Sequence, residues 1–237
     1  MHKYIELLYN LEMADNQVQF WVPQGENPLF QSIFPQKLKK GDIKKIEIIE
    51  ATVKLVAVHG FEETTYDLIA QALGTRRSHV AYHYKDRQEL YISMVKFMMA
   101  KGHDYTFQLM QEASEPKEMF KAYLAGYFNF FVDEPEYIPV ILYFYYSSGF
   151  NEEFRSLQTQ VRQGAFQRIK GLIVQMLKAE EKSIPRNLDD LVNSTQSMIL
   201  GRMIFNVTTG QRPNLENTEL AKSHVLIAVE KMFRLKF

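Results

Sequence analysis

Apolar residues recur every three or four positions along most of this chain, a spacing that places them on one face of an α-helix. Between residues 42 and 237 the pattern predicts nine helices and no strand. Prolines and glycines stand at the breaks between these helices, and Asn151 and Asn187 stand where a side chain can cap the next helix. The sequence therefore predicts an all-α protein.

Residues 64–84 read as two short helices joined by a tight turn. Thr64 or Thr65 can cap the first helix, and Gly74 stands at the reversal, where a residue without Cβ tolerates a positive φ. Thr75 is expected to cap the second helix. Helix, glycine turn and helix form the helix-turn-helix pattern, whose second helix fits the major groove of DNA.

The second helix is expected to bury Val80 and to leave its polar and cationic side chains available for DNA. These side chains are Arg76, Arg77, Ser78, His79, Tyr82 and His83. An arginine can grip a guanine with two parallel hydrogen bonds, and a tyrosine hydroxyl or an imidazole N–H can donate to phosphate. The arginines could instead hold only phosphates, and Tyr82 could pack against the next helix.

The flanking segments make this pattern more specific. Upstream, a predicted helix over residues 43–59, with Asp42 as its expected cap, carries an apolar stripe and is closed by Gly60-Phe61. Downstream, the run from Lys85 to Leu90 opens a long helix. Thr64-Thr65, Ile69-Ala70, Gly74 and Tyr82-His83-Tyr84 lie between them at regular spacing. With these features, residues 43–90 closely resemble the DNA-binding domain of TetR/AcrR-type transcriptional regulators.

The resemblance implies a homodimeric repressor whose DNA binding is controlled by a small-molecule effector. It divides the chain into an extension with a basic linker over residues 1–41, a DNA-binding domain over 42–85, and an effector-binding and dimerisation domain over 86–237. Tyr82, His83, Thr65 and Lys85 match positions that contact phosphate in the family, and Lys44 and Lys45 lie near the DNA backbone. The sequence departs from the family at Arg76, where a capping serine is usual, at Ala81 and at Ser78-His79.

The resemblance also implies an effector site and a dimer interface in the helices after residue 86. Candidate effector contacts are Tyr127, Phe128, Phe131, Tyr143, Phe144, Tyr146, Met176 and Met203, with Arg202 facing an acidic ligand or an internal glutamate. Candidate interface residues on the last two helices are Leu191, Ser194, Met198, Phe205, Leu220, His224 and Ile227. Both sets could instead belong to the core of their own bundle.

Residues 1–36 lie outside the resemblance. Their pattern suggests a helix over residues 3–14, an extended segment over 17–22 and a helical turn over 29–34. Because so many apolar side chains would be unfavourable in a free tail, we expect this extension to be docked. An alternative function follows from it, in which the helical dimer acts mainly through protein partners that bind the extension.

Charge is distributed unevenly although the formal net charge is zero. Residues 37–103 carry an excess of four positive charges, which fits phosphate contact, whereas residues 1–36 carry an excess of three negative charges. The chain contains no cysteine, which excludes disulfides and thiolate chemistry. No secretory signal or membrane-length apolar run is present, so a cytoplasmic protein without membrane contact is expected.

Sequence motifs for catalysis are missing. There is no Gly-x-x-x-x-Gly-Lys-Ser/Thr loop, no Gly-x-Ser-x-Gly elbow and no Glu-x-x-His motif of a di-iron bundle. We expect none of the six histidines to be paired with another histidine or a carboxylate at a helical zinc spacing such as His-Glu-x-x-His. We therefore expect no enzyme activity, no cofactor and no metal site.

Overall fold

The computed structural model describes residues 21–23, 26–209 and 213–237, and within these ranges the regular elements are helices without any strand. The elements are α1 (Pro28–Gln31), α2 (Lys40–Glu63), α3 (Tyr66–Ala72), α4 (Arg77–His83), α5 (Arg87–Gln111), α6 (Pro116–Asp133), a 3-10 turn (Pro135–Tyr137), α7 (Ile138–Ser148), α8 (Glu152–Ala179), α9 (Leu188–Thr208) and α10 (Leu215–Phe233). The all-α prediction is confirmed. In the part of the chain that the structure describes, the nine helices expected after residue 42 correspond to α2 through α10.

The chain forms two compact units, of which the first ends at Phe97 and the second begins at Met98. The division falls within α5, so the first part of this helix belongs to the same unit as α2, α3 and α4. The predicted domain boundaries at residues 41 and 85 stay predictions.

The core of the first unit is formed by one face from each of its short helices. α2 buries the predicted stripe, with Ile46, Ile49, Val53 and Val56 at most 2% exposed. α3 contributes Ile69 to this core, and α4 contributes Val80; both side chains are fully buried. Because these contacts involve only one side of α4, its other side stays free of the core.

Two buried tyrosines connect the ends of these helices. The Tyr66 hydroxyl donates to the carbonyl oxygen of Tyr84 at 3.0 Å, and the Tyr84 hydroxyl donates to the carbonyl oxygen of Lys45 at 3.3 Å. Burial, with the nearby carboxylates of Asp86 and Glu89, raises the pKa of Tyr66 to about 12, so the hydroxyl keeps its proton and remains a donor. These bonds fix the end of α4 against the start of α2 and against α3.

The glycine turns fall where the sequence predicts them. Gly60 interrupts α2 with a φ of 77°, and Gly74 follows α3 with a φ of 60°; both values lie in the left-handed region. The Thr65 hydroxyl caps α3 by accepting from the backbone N–H of Leu68 at 3.2 Å, as one of the two predicted caps.

Two predicted helix caps are wrong. Asp42 does not begin α2, because Lys39 is the cap residue and Asp42 lies in the first turn, where its carboxylate accepts from the Lys39 backbone N–H at 2.9 Å. Thr75 does not cap α4, because Arg76 takes that position without a side-chain hydrogen bond. The Thr75 hydroxyl is instead paired with Nδ1 of His79 at 2.9 Å.

An aromatic cluster joins the segment before α2 to the first unit. The Trp21 ring lies edge-on to Phe30 at 5.7 Å and to Phe97 at 5.3 Å, while Phe34 contacts Phe30 at 5.0 Å between ring centroids. Phe30, Phe34 and Phe97 are at most 5% exposed, so the described part of the extension is docked as expected. The predicted helix over residues 3–14 and the start of the predicted extended segment lie outside the described residues, as do residues 210–212.

The second unit is a bundle of the longer helices. α6 packs against α8 and α10, α8 also packs against α7 and α9, and α9 packs against α10. α6 packs tightly on α5 at Gly126, where an added Cβ would lie only 2.6 Å from Thr106. Among the described residues, none of the helices combines the length and the apolarity that crossing a membrane would need.

Truncating Phe97 tests the aromatic cluster. Because this fully buried ring contacts both Trp21 and Phe30, we expect Phe97→Ala to lower the free energy of unfolding by about 3–5 kcal/mol. Urea denaturation followed by Trp21 fluorescence measures the loss, since Trp21 is the only tryptophan. Phe107→Ala, on the same helix but half exposed, is the control, and an equal loss in the two variants would contradict the cluster.

Candidate nucleic-acid interface

The outer face of α4 carries most of the side chains predicted to meet DNA. Tyr82 is 83% exposed, which rules out the alternative that it packs against a neighbouring helix. Arg76, Arg77, Ser78 and His79 are also exposed, and His83 is half-buried. The residues from Gly74 to Tyr82 that point outward line one open surface depression. Because one face of α4 is buried, the hydrogen-bond donors on its opposite face point away from the core.

The two arginines at the start of α4 differ in their surroundings. Among the described residues Arg76 has no ion-pair or hydrogen-bond partner for its guanidinium, whereas Nε of Arg77 lies 3.4 Å from the carboxylate of Asp67 on α3. Both members of this ion pair are largely exposed, and such pairs contribute only about 0–1 kcal/mol. Arg77 can therefore exchange Asp67 for a phosphate or a base edge at little cost.

The expectation that no two histidines share the spacing of a helical zinc motif is wrong. His79 and His83 are four residues apart on α4, and their ring centroids are 5.1 Å apart. Within the described residues, however, no group of three or more His, Cys, Asp or Glu side chains could hold a metal ion. The pair is instead two neighbouring imidazoles on the face that carries the arginines, with Tyr82 edge-on to His83 at 5.2 Å.

The structure brings the start of α2 to the same face. Partial burial lowers the pKa of His83, and the positive groups of His79, Lys45 and Lys44 lower it further, so both lysines lie near this imidazole. The Lys45 ammonium is 5.7 Å from the centroid of the Tyr84 ring, and Lys44 forms an ion pair with Glu47 at 2.6 Å. Cations from two helices that are distant in sequence therefore form one positive surface.

The remaining two predicted contacts lie at exposed positions. The Thr65 hydroxyl accepts a backbone hydrogen bond as the cap of α3 and keeps its own proton free to donate. Lys85 is exposed, and its backbone N–H is bonded to Glu89 at 3.1 Å. The sequence analysis missed two carboxylates on this surface, those of Asp67 and Glu47. Asp67 and Arg77 are on different helices, and only folding brings them together.

Comparison with known proteins agrees with this geometry. Residues 48–94, which contain α3 and α4, match the profile of the bacterial regulatory proteins of the tetR family. A TetR transcription regulator from Haloarcula marismortui has the same fold, with a TM-score of 0.71 and 17% identity over 80% of this chain and 98% of that chain. Residues 48–94 therefore resemble the DNA-binding part of tetR-family regulators, and the chain shares the fold of a TetR transcription regulator.

Two proteins from Bacillus subtilis share limited sequence similarity with this chain. The fatty acid metabolism regulator protein is 22% identical over 172 residues, which cover 73% of this chain and 86% of that protein. The uncharacterised HTH-type transcriptional regulator YerO is 26% identical over 101 residues, which cover 42% of this chain. The matched region is only 35% of the length of YerO.

The predicted effector contacts in the second unit divide into three groups. The side chains of Phe128, Phe131, Phe144, Met176 and Met203 are buried in the core. Tyr127, Tyr143 and Arg202 are half-buried. Tyr146 is 68% exposed and lies against Phe150, so its side chain is outside the bundle core, and its contact with an effector stays a prediction. The rings of α7 cover more than one face of the helix, and periodicity alone did not show that Tyr146 points outward.

The predicted dimer contacts lie on the surface of α9 and α10 more than in the core. Phe205 is 62% exposed, Leu220 55% and Ile227 47%. Ser194 is also exposed, and Leu191, Met198 and His224 are half-buried. Nδ1 of His224 is buried without a hydrogen-bond partner in the described part of the chain. The alternative that this whole set faces its own bundle core is therefore wrong.

We expect the affinity for DNA to depend on pH through the His83 imidazole. A phosphate near His83 favours the protonated imidazole, so the pKa rises on binding from a free-state value that lies below 6.5. Affinity for duplex DNA should increase as the pH falls through this range, by roughly tenfold for each unit by which DNA raises the pKa. The gain in DNA affinity is fully present below the pKa of His83 in the free protein. It is lost as the pH rises through the pKa of His83 in the DNA complex.

Fluorescence anisotropy with a labelled duplex at a series of pH values measures this dependence. His83→Gln should flatten the pH profile, because glutamine keeps a hydrogen-bond donor but does not titrate. His59→Gln, at an exposed position near the end of α2, is the control and should keep the wild-type profile. An unchanged profile in the His83 variant would remove this imidazole from the interface.

Proposed function

We propose that this chain is a homodimeric transcriptional repressor that binds a near-palindromic operator. In this proposal the α4 helices of two subunits enter successive major grooves, and a small molecule bound in the second unit releases the dimer from DNA. The ligand can do so only if its affinity is higher for the conformer that does not fit the operator than for the conformer that fits it.

The exposed donor face of α4 is the observation that carries the DNA-binding part of the proposal. Val80 is fully buried while Tyr82 is 83% exposed, so one side of the helix holds it in place and the other side is available to DNA. The arginines lie at the start of the helix, the end that lies nearest the bases in helix-turn-helix complexes. Lys44 and Lys45 extend the positive surface toward the phosphates on either side.

Exposed apolar side chains support the dimer. Phe205, Leu220 and Ile227 would be unfavourable in contact with water, and apolar surface on the outer side of two adjacent helices is typical of a subunit interface. α9 and α10 pack against each other, so a second copy could pair the same two helices around a twofold axis. Such a dimer would present two recognition helices at a fixed separation.

Similarity to a fatty acid metabolism regulator suggests where to look for the operator. We take the region upstream of the chain's own gene, together with genes of fatty acid metabolism, as the first DNA to test. The alternative, in which the extension recruits protein partners, has less support, since Phe30 and Phe34 are buried against the chain's own first unit.

Substitutions on α4 separate phosphate contact from base reading. The double substitution Tyr82→Phe and His83→Ala should weaken binding to operator and random duplex alike, because phosphates carry no sequence information. Arg77→Ala should mainly reduce the preference for operator over random duplex, by about 1–3 kcal/mol. Gel-shift titrations with both duplexes measure this, with Arg162→Ala on the exposed surface of α8 as the control.

Two results would count against this proposal. Equal losses on operator and random duplex for Arg77→Ala would remove this residue from base reading. A wild-type affinity that does not fall as the salt concentration rises would contradict phosphate contact altogether, since cations that bind phosphate displace counterions.

A charge placed in the apolar surface of α10 tests the dimer. Ile227→Asp should convert the protein to a monomer, because a carboxylate in an apolar interface is desolvated without a partner. Light scattering coupled to gel filtration measures the mass, and operator affinity should fall with it. Ile184→Asp, at an exposed apolar position in the loop before α9, is the matched control. A dimeric Ile227→Asp variant would place the interface elsewhere.

A further inference from the structure

A cluster of polar side chains lies among the aromatic rings of the second unit. Its members come from four helices, namely His103 on α5, Tyr123 and Tyr127 on α6, Tyr145 on α7 and Arg168 on α8. Burial raises the pKa of Tyr127 well above its ordinary value, and it raises the pKa of Tyr145 to about 12. These hydroxyls lie close enough to each other to interact, and both remain protonated donors at neutral pH.

Arg168 is the permanent charge in this cluster. Its guanidinium lies beside the Tyr123 hydroxyl, where it opposes the larger effect of burial on the pKa of that group. Burial lowers the pKa of His103 and the charge of Arg168 lowers it further, so this imidazole is mainly neutral at pH 7. In the part of the chain that the structure describes, no carboxylate forms an ion pair with Arg168.

A half-buried guanidinium without a counter-charge is costly to the fold. Removing a charge from water is unfavourable unless an opposite charge or several hydrogen bonds replace the lost hydration. The wild-type chain carries this cost at position 168 of α8. A buried anion supplied from outside the chain would remove the cost.

The surface of α8 is less covered around Arg168 than on either side. Leu157 and Leu172 are buried, whereas Val161, Ala165 and Arg168 between them on the same face are half-buried. The packing of α8 is therefore tight at both ends of this face and looser in the middle, where the charge lies. We take this less covered stretch of α8 as the place where a ligand reaches the cluster.

Each tyrosine ring of the cluster has a phenylalanine ring beside it on the same helix. Phe120 lies 6.5 Å from Tyr123, Phe128 lies 5.8 Å from Tyr127, and Phe144 lies 5.4 Å from Tyr145 between ring centroids. One cation surrounded by neutral donors suits a group with a single negative charge, since a phosphate dianion would need a second cation. The apolar rings suit an apolar body attached to that group.

We infer that the effector is an amphipathic monocarboxylate whose carboxylate binds Arg168 and the neighbouring tyrosine hydroxyls, while its apolar body lies against the flanking phenylalanines. This inference rests on the proposed function and names the chemical class of its effector. It replaces Arg202 by Arg168 as the arginine that receives an acidic ligand. Because His103 is on α5, the ligand also contacts the helix whose first part belongs to the unit that binds DNA.

The test compares matched ligands on matched variants. The ligands are hexanoate, octanoate, decanoate and the primary alcohols of the same chain lengths, each used below its critical micelle concentration. The proteins are wild type, Arg168→Met, Arg168→Lys and Arg162→Met. Arg162 lies on the same helix and is exposed, so its substitution controls for the loss of a positive charge. Thermal unfolding reports ligand binding, and gel shift with a duplex from the upstream region reports DNA release.

The acids, but not the alcohols, should raise the melting temperature of wild type and of the Arg162 variant. Arg168→Met should bind the acids roughly tenfold to a hundredfold more weakly, and Arg168→Lys should recover part of the affinity. Without ligand, Arg168→Met should be at least as stable as wild type, because the uncompensated charge is gone. A structural role through Tyr123 predicts the opposite, a lower melting temperature of the ligand-free variant.

The inference would be overturned if alcohols raised the melting temperature of wild type as much as acids do, or if no acid raised it. It would also be overturned if acids stabilised Arg168→Met as much as wild type, or if ligand-free Arg168→Met melted at a lower temperature than wild type.

The effector class and effector control of DNA binding can fail separately. Acids that stabilise the protein without releasing DNA would leave the ligand class standing and remove effector control. Alcohols that release DNA would leave effector control standing and remove the carboxylate.

Discussion

The hydrogen bond from the Tyr66 hydroxyl to the Tyr84 carbonyl oxygen is the contact on which the orientation of α4 depends. Seven residues of helix are too few to be stable alone, so α4 takes its direction from what holds its ends. Val80 anchors its middle, and Tyr84 anchors its end to Lys45 on α2. With these three points fixed on one side, the arginines, Tyr82 and the two imidazoles can only face outward.

The short length of α4 explains why the positive surface also needs residues of α2. A helix this short presents few cations, and one of its two arginines already faces Asp67. Lys44 and Lys45 reach the same surface because the Tyr84 hydroxyl holds the start of α2 against the end of α4. The positive surface is therefore a product of packing, although the chain as a whole has no net charge.

Features that depend on neighbouring positions in the chain could be predicted from the sequence. Gly60 and Gly74 adopt the positive φ that their turns require, and the buried stripe of α2 follows a simple helical period. Features that depend on side chains meeting across helices could not be predicted. Nothing local shows that Asp67 pairs with Arg77, or that Arg168 stands among three tyrosines while Tyr146 points outward. Thr75 does not cap α4 as predicted, because Arg76 is the cap residue and the Thr75 hydroxyl is paired with His79.

Interference by methylated bases tests most directly whether α4 enters the major groove. Guanines methylated at N7 block contacts in the major groove, and adenines methylated at N3 block contacts in the minor groove. On an operator fragment bound by the protein, methylation of guanine N7 should interfere in two patches, separated by about one helical turn or a multiple of it. Interference only from adenine N3, or a single patch, would contradict a pair of recognition helices in the major groove.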